Sequence, residues 1–187
     1  MSANTPCQSL ERRLREWEIV EARTVFGDAL DYARVRIHEC ASWTDAANRL
    51  GMWLKRIPLP PAYVPNAITL GDHCYFPIQL PETLALWDRS PYSFGWVIHE
   101  LTHAWQYQHL GWKYLTQALS AQFRHGAAAY DFGDAAGLAA AQQAGEKFSS
   151  FNPEQQGAIV QAYYDRLRAN RDVTAWMPFV HEIQART

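Results

Sequence analysis

From about Leu10 to Thr24 apolar residues recur at helical spacing among charged ones, which predicts a first amphipathic helix. In the following FGDALDYARVRIHEC the period shortens. Val35 and Ile37 alternate with Arg34, Arg36 and His38, the pattern of a turn leading into a short strand. IPLPPAYVP (57–65) holds four prolines and must be extended or looped. NAITLGDHCYFPI brings back β-branched and aromatic residues around Gly71-Asp72, predicting a strand or hairpin, while ETLALWDRSPYSFG reads as a connector. From Tyr92 to about Leu110 the apolar positions fit a helix again, with Gly111 as its C-terminal stop.

Helical spacing continues over 113–125 and weakens in GAAAYDFGDAAGLAAAQQAGEKFSSF, whose Ala and Gly content predicts at least part of a loop. Asn152 is a good N-cap, Pro153 suits the first helical position and Glu154 the first turn of a helix reaching about Ala169. VTAWMPFVHEIQ closes the chain as a helix or an irregular tail. With no repeat and no low-complexity tract, residues 1–187 are expected to form one domain of mainly helical α+β class.

Composition alters little. Hydrophobic residues are 48% and charged residues 19% of the 187, ordinary for a soluble globular protein and enough for one core. Eight Trp and nine Tyr suggest an aromatic-lined core or groove without specifying a ligand. A net charge of −2 and a pI near 6.4 leave no nucleic-acid footprint. Arg12, Arg13 and Arg15 are interleaved with Glu11, Glu16 and Glu18, which reads as a solvated helix face. Cys7, Cys40 and Cys74 are widely spaced and odd in number, so reduced thiols are expected rather than a disulfide framework. The first residues lack the apolar run of a signal peptide and no segment approaches a membrane span, so synthesis in the cytoplasm is expected.

Chemistry enters at WVIHELTHAWQYQHLGW. His99 and His103 are four apart and share one face of a helix, so both imidazoles can address a single ion. Glu100, beside the first of them, leans next to the metal, where it can take a proton from water and hand it to a leaving amine. Two neutral imidazoles and a carboxylate suit zinc. Without a metal, a buried helix would have to satisfy two histidines and a glutamate in some other way.

His109 follows His103 by six residues, the spacing of the third histidine in HExxHxxGxxH. That arrangement needs a helix-breaking glycine midway, and here the position is Gln106. On a continuing helix His109 lies about 9 Å further along the axis and roughly 120° around it, out of reach of the same ion. Met177, a lone methionine, reads as packing rather than a methionine turn. The third ligand is then a downstream glutamate, Glu146 or Glu154. Glu154 heads a helix with Glu-x-x-Gly, where a small residue one turn on would let two helices pack closely, and it also reads as a first-turn acid complementing the helix dipole. The residues alone leave the choice open.

AITLGDHCYFP, WVIHELTHAWQYQ and FNPEQQGAIVQAYY, with VFGDALDYARVRIH upstream, resemble a group of bacterial zinc metallopeptidase domains. These domains occur beside or fused to type VI secretion spike proteins, Rhs toxins and extracellular contractile injection systems. The resemblance covers about 18–165, the expected core. It implies a compact gluzincin-like, zincin-type domain with a short sheet beside the HExxH helix. It also implies His99 and His103 as zinc ligands, Glu100 as the catalytic glutamate and Glu154 as third ligand. The Ala/Gly-rich section is longer than that pattern, which keeps Glu146 in play. Further implications are a peptide or protein substrate, a secretion-system spike or an immunity protein as partner, and export by the contractile apparatus.

Gln106 shares the helix face of His99 and His103 and could orient a ligand or the substrate. Tyr130, Tyr163, Tyr164 and His125 are available donors for an oxyanion. AITLG could serve as an edge strand for an added peptide. His38, His73 and His181 read as isolated. The expected activity is zinc-dependent peptide hydrolysis. The rivals are a zinc-stabilised, non-catalytic interaction or cargo module and hydrolysis of a non-peptide amide. A fourth protein ligand from Glu146, His109 or His125 would favour the non-catalytic rival.

Overall fold

The computed structural model describes residues 7–44, 46, 66–112 and 130–186. The proline-rich segment at 57–65, the helical pattern at 113–125 and His125 lie outside them. The described residues form an α+β arrangement, a small mixed sheet with helices against its inner face, as the hydrophobic pattern predicts.

Four strands make the sheet: β1 (Leu10–Arg12), β2 (Arg36–Glu39), β3 (Ile68–Leu70) and β4 (His73–Tyr75), ordered β1-β2-β4-β3. β1 is antiparallel to β2, β2 parallel to β4, and β3 antiparallel to β4 across the two-residue turn Gly71-Asp72. Alternation decides which side chains face inward. Ile37, Glu39, Thr69 and Cys74 are buried, whereas Arg36, His38, Ile68, Leu70, His73 and Tyr75 lie half-buried on the other face. There His38 and His73 are not isolated, since Nε2 of the first lies 2.8 Å from Nδ1 of the second and both rings stack on Tyr75.

The first helix, α1 (Glu16–Phe26), begins six residues later than the pattern predicts, because Leu10–Arg12 is a strand. The reason is electrostatic. The Arg12 guanidinium bonds Glu39 at 2.6 Å and Glu18 at 2.7 and 2.9 Å. Glu18 also accepts from the Arg15 backbone N–H at 2.7 Å. Glu18 and Glu39 are fully buried, so these charges tie β1, α1 and β2 together instead of forming a solvated face. The reduced-thiol expectation is corrected too. Cys7 and Cys40 form a disulfide, since β1–β2 pairing sets Leu10 opposite Glu39 and brings the flanking cysteines within 5.6 Å at Cα. Cys74 is the free thiol, buried in the core.

After the short α2 (Leu84–Trp87) come α3 (Gly95–Leu110), α4 (Asp134–Gln143), a 3-10 turn at Phe148–Ser150, α5 (Pro153–Arg168) and α6 (Met177–Gln184). α3 carries the histidine motif and stops at Gly111, whose φ of +62° suits glycine and whose N–H donates to Tyr107 O at 2.8 Å. α5 starts where its cap signals place it. Asn152 Oδ1 accepts from the N–H groups of Glu154 and Gln155, and Gln155 Oε1 accepts from Asn152 N–H. α4 and α6 resolve two open readings as helix. Phe26, Leu101, Trp105, Ile159, Tyr164, Trp176 and Phe179 lie in the buried core between the sheet and these helices.

Candidate metal centre

α3 and α5 pack closely along their length, and glycine permits the approach. A Cβ on Gly157 would lie 2.6 Å from Cε1 and 2.8 Å from Nε2 of His99, so the imidazole fills the place of a side chain. At the other end the Asp165 carboxylate of α5 sits against Gly95 in the first turn of α3, again leaving no room for a Cβ. There a carboxylate faces a helix N-terminus, where negative charge is favourable.

At the Gly157 end the chemistry converges. His99 and His103 present their rings from successive turns of α3, with centroids 5.0 Å apart. Glu154 Oε2, in the first turn of α5, lies 3.4 Å from His99 Nε2 and 3.6 Å from His103 Nε2. One ligand atom from each residue falls within 4.8 Å of the others, and all three residues are buried. Such a group can hold a metal ion. Burial disfavours charge on both His103 and Glu154, but their mutual attraction outweighs it. His103 is held above its ordinary pKa, and Glu154, facing both histidines, is held well below the usual carboxylate range.

The donor chemistry fits a borderline cation such as zinc. His103 Nδ1 is engaged by Gln106 Oε1 at 2.9 Å, which leaves Nε2 facing Glu154. Glu100 is 4% exposed and turns towards the sheet, where Thr69 Oγ1 of β3, an outermost one of the described strands, donates to its Oε2 at 2.7 Å. Cys74 lies against the Glu100 carbonyl, and burial pushes its thiol far up, so it is a packing group.

Of the other expected participants, Gln106 stands beside His103 as described and Tyr130 is near His99, ring centroids 6.0 Å apart. Tyr163 and Tyr164 are placed elsewhere. Tyr163 is nine residues from Glu154, about half a turn round α5 and roughly 13 Å along it, and packs partly buried against the core. Tyr164 is buried among core aromatics and donates its hydroxyl to Glu21 Oε2 at 2.7 Å. Both positions share α5 with Glu154 but lie between roughly two and three turns along it. His109 turns its ring nitrogens to the carbonyls of Trp105 and Arg186, at 2.8 and 3.2 Å. Glu146 is exposed in the turn after α4. Among the described residues the group therefore comprises His99, His103 and Glu154.

Two of the residues around this group have little or no signal in the sequence. Thr69 carries a weak signal, because strand alternation puts it opposite Ile68 and Leu70, so a hydroxyl points inward. Gln156, within hydrogen-bond reach of Gln106, carries none: beside Gln155 in a capped first turn it looks like any polar helix residue.

The chain is similar to the type VI secretion system spike protein VgrG2b of Pseudomonas aeruginosa, 31% identical over 159 residues. That alignment takes in 82% of this chain and 13% of the spike protein, so the chain spans a small fraction of that relative's length. No family model and no solved structure matches the chain.

Proposed function

We propose that this chain is a zinc-dependent metallopeptidase domain working with a contractile secretion system of the type VI kind. The observation that carries the chemistry is the convergence of His99 Nε2, His103 Nε2 and Glu154 Oε2, with Glu100 one residue from the first ligand. Similarity to VgrG2b, a type VI secretion spike protein, supports the setting; a spike or immunity protein as partner and export as route belong to the proposal.

Bound zinc would supply Lewis acidity, polarising a peptide carbonyl and bringing the pKa of water to about 7. Glu100, as carboxylate, takes the proton of the attacking water, aimed by the Thr69 hydroxyl on its Oε2. It then returns that proton to the leaving amine, and the products are a carboxylate and an amine. Tyr130, whose ring lies 6.0 Å from that of His99, is the proposed donor to the carbonyl oxygen. Among the described residues β3 is an outermost strand, so a peptide added to it would run beside the helix that carries Glu100.

The test compares wild type with Glu100→Gln, both loaded with zinc, against a mixed peptide library read by mass spectrometry. Both should bind one zinc per chain, and the variant should lose cleavage by about 10²-fold or more. Equal cleavage by the two proteins would overturn the proposal. Zinc binding by a wild type that cleaves nothing would instead support the non-catalytic module.

A further inference from the structure

We infer that Gln156 is a positioning residue for the metal centre, dictating through Gln106 which nitrogen of His103 is free to bind the ion. This inference rests on the metal reading above and adds to it a residue and a task.

Three buried polar side chains form a directed chain. His103 Nδ1 lies 2.9 Å from Gln106 Oε1. Gln106 Nε2 lies 3.2 Å from the carbonyl of Pro153 and 2.8 Å from Gln156 Oε1. Gln156 Nε2 lies 3.1 Å from the carbonyl of Phe148 and 2.8 Å from that of Phe151. Gln106 is 1% and Gln156 8% exposed, so water has little access to either amide.

An amide's oxygen and nitrogen are told apart only by their partners. Here the partners decide at every step. Backbone carbonyls only accept, so the two beside Gln156 claim both N–H groups of its amide and turn its oxygen towards Gln106. That oxygen and the Pro153 carbonyl claim both N–H groups of Gln106, turning its oxygen towards His103. An amide oxygen only accepts, so a neutral His103, the form that binds a metal, must carry its proton on Nδ1, and its lone pair is then on Nε2, the atom facing Glu154. The orientation starts at the 3-10 turn and the loop before α5 and ends at the ligand atom on α3.

A merely structural glutamine would fill space and satisfy carbonyls, and the tautomer of His103 would be indifferent to it. The distinguishing test is spectroscopic. In ¹⁵N-labelled, zinc-loaded wild type, imidazole nitrogen–proton correlations should show His103 protonated at Nδ1, with that proton slow to exchange. Gln156→Met keeps the volume and removes the relay. It should weaken zinc binding by about 10- to 100-fold and speed exchange of the His103 proton, with cooperative unfolding retained. His103 protonated at Nε2 in the wild type would overturn the inference, and so would wild-type zinc affinity in a folded Gln156→Met. If that variant does not fold, the wild-type nitrogen assignment decides. A wild type that binds no zinc overturns the metal reading and this inference together, an outcome distinct from zinc binding that ignores Gln156.

Discussion

Replacing Gly157 by alanine sets two effects of known sign against each other. In an ordinary helix interior the change gains about 1 kcal/mol, because alanine loses less backbone freedom on folding. At this position the new Cβ would lie 2.6 Å from His99 Cε1, whereas contacts of 3.4–4 Å are ordinary, so the ring must retreat by roughly 1 Å. Overpacking of that kind costs about 1–3 kcal/mol. In the metal-free protein the ring can turn aside and escape much of that cost, so the net change in stability should lie between about 1 kcal/mol of gain and about 1 kcal/mol of loss. With zinc present it cannot turn aside, since zinc–nitrogen bonds of about 2.0–2.1 Å tolerate only some 0.2 Å of error. The strain then falls on binding, and 1–3 kcal/mol corresponds to about 5- to 150-fold weaker affinity. Competition against a chelating dye measures the affinity, and thermal unfolding with and without zinc separates the two contributions. A Gly157→Ala protein that binds zinc like wild type and melts higher would refute the reasoning, because His99 would then not occupy the helix crossing.

Two further outcomes follow from described contacts. Thr69→Val removes the donor to Glu100 and leaves the ligands untouched. Hydrogen bonds to charged groups contribute about 1.5–3 kcal/mol, so kcat/KM on a cleaved peptide should fall roughly 10- to 100-fold at unchanged zinc content. Undiminished kcat/KM would remove Thr69 from the mechanism. Reducing the Cys7–Cys40 disulfide opens a link between residues 33 apart, which in the chain-entropy account costs about 3–4 kcal/mol. The melting temperature should drop by roughly 10 °C, matched by Cys7→Ser, and equal melting of reduced and oxidised protein would contradict the staple.

The helices that build the site were the legible ones, because local chemistry defines them. HELTH with apolar flanks marks α3, Gly111 its end, and Asn152-Pro153 the start of α5. Within these limits Glu-x-x-Gly already suggested two helices in close contact, and Gly157 lies where His99 needs the space. Failures came where a residue's role depends on a partner distant in sequence. Arg12 and Glu18 look like an exposed helix face until Glu39 is set beside them by strand pairing. Cys7 and Cys40 are unrelated in spacing and adjacent only through the β1–β2 register. Tyr164 has the right chemistry for an oxyanion donor but lies about 15 Å along α5 from Glu154 and bonds Glu21, while Gln156 lies close to the ligands and has no sequence signal.

The arrangement of α3 and α5 has a consequence for the chain as a polymer. His103 and Glu154 are separated by a long run of sequence, and an ion held between them would act as a reversible cross-link closing that run into a loop. In the unfolded chain the same closure carries an entropic cost that rises only slowly with loop length, so a long span is nearly as easy to tie as a short one. The cation would thereby couple local order to availability: α5 would be anchored while the ion is bound and freer to separate from α3 once it leaves. The two tight glycine contacts, at Gly95 and Gly157, would then be the first places where that separation is felt.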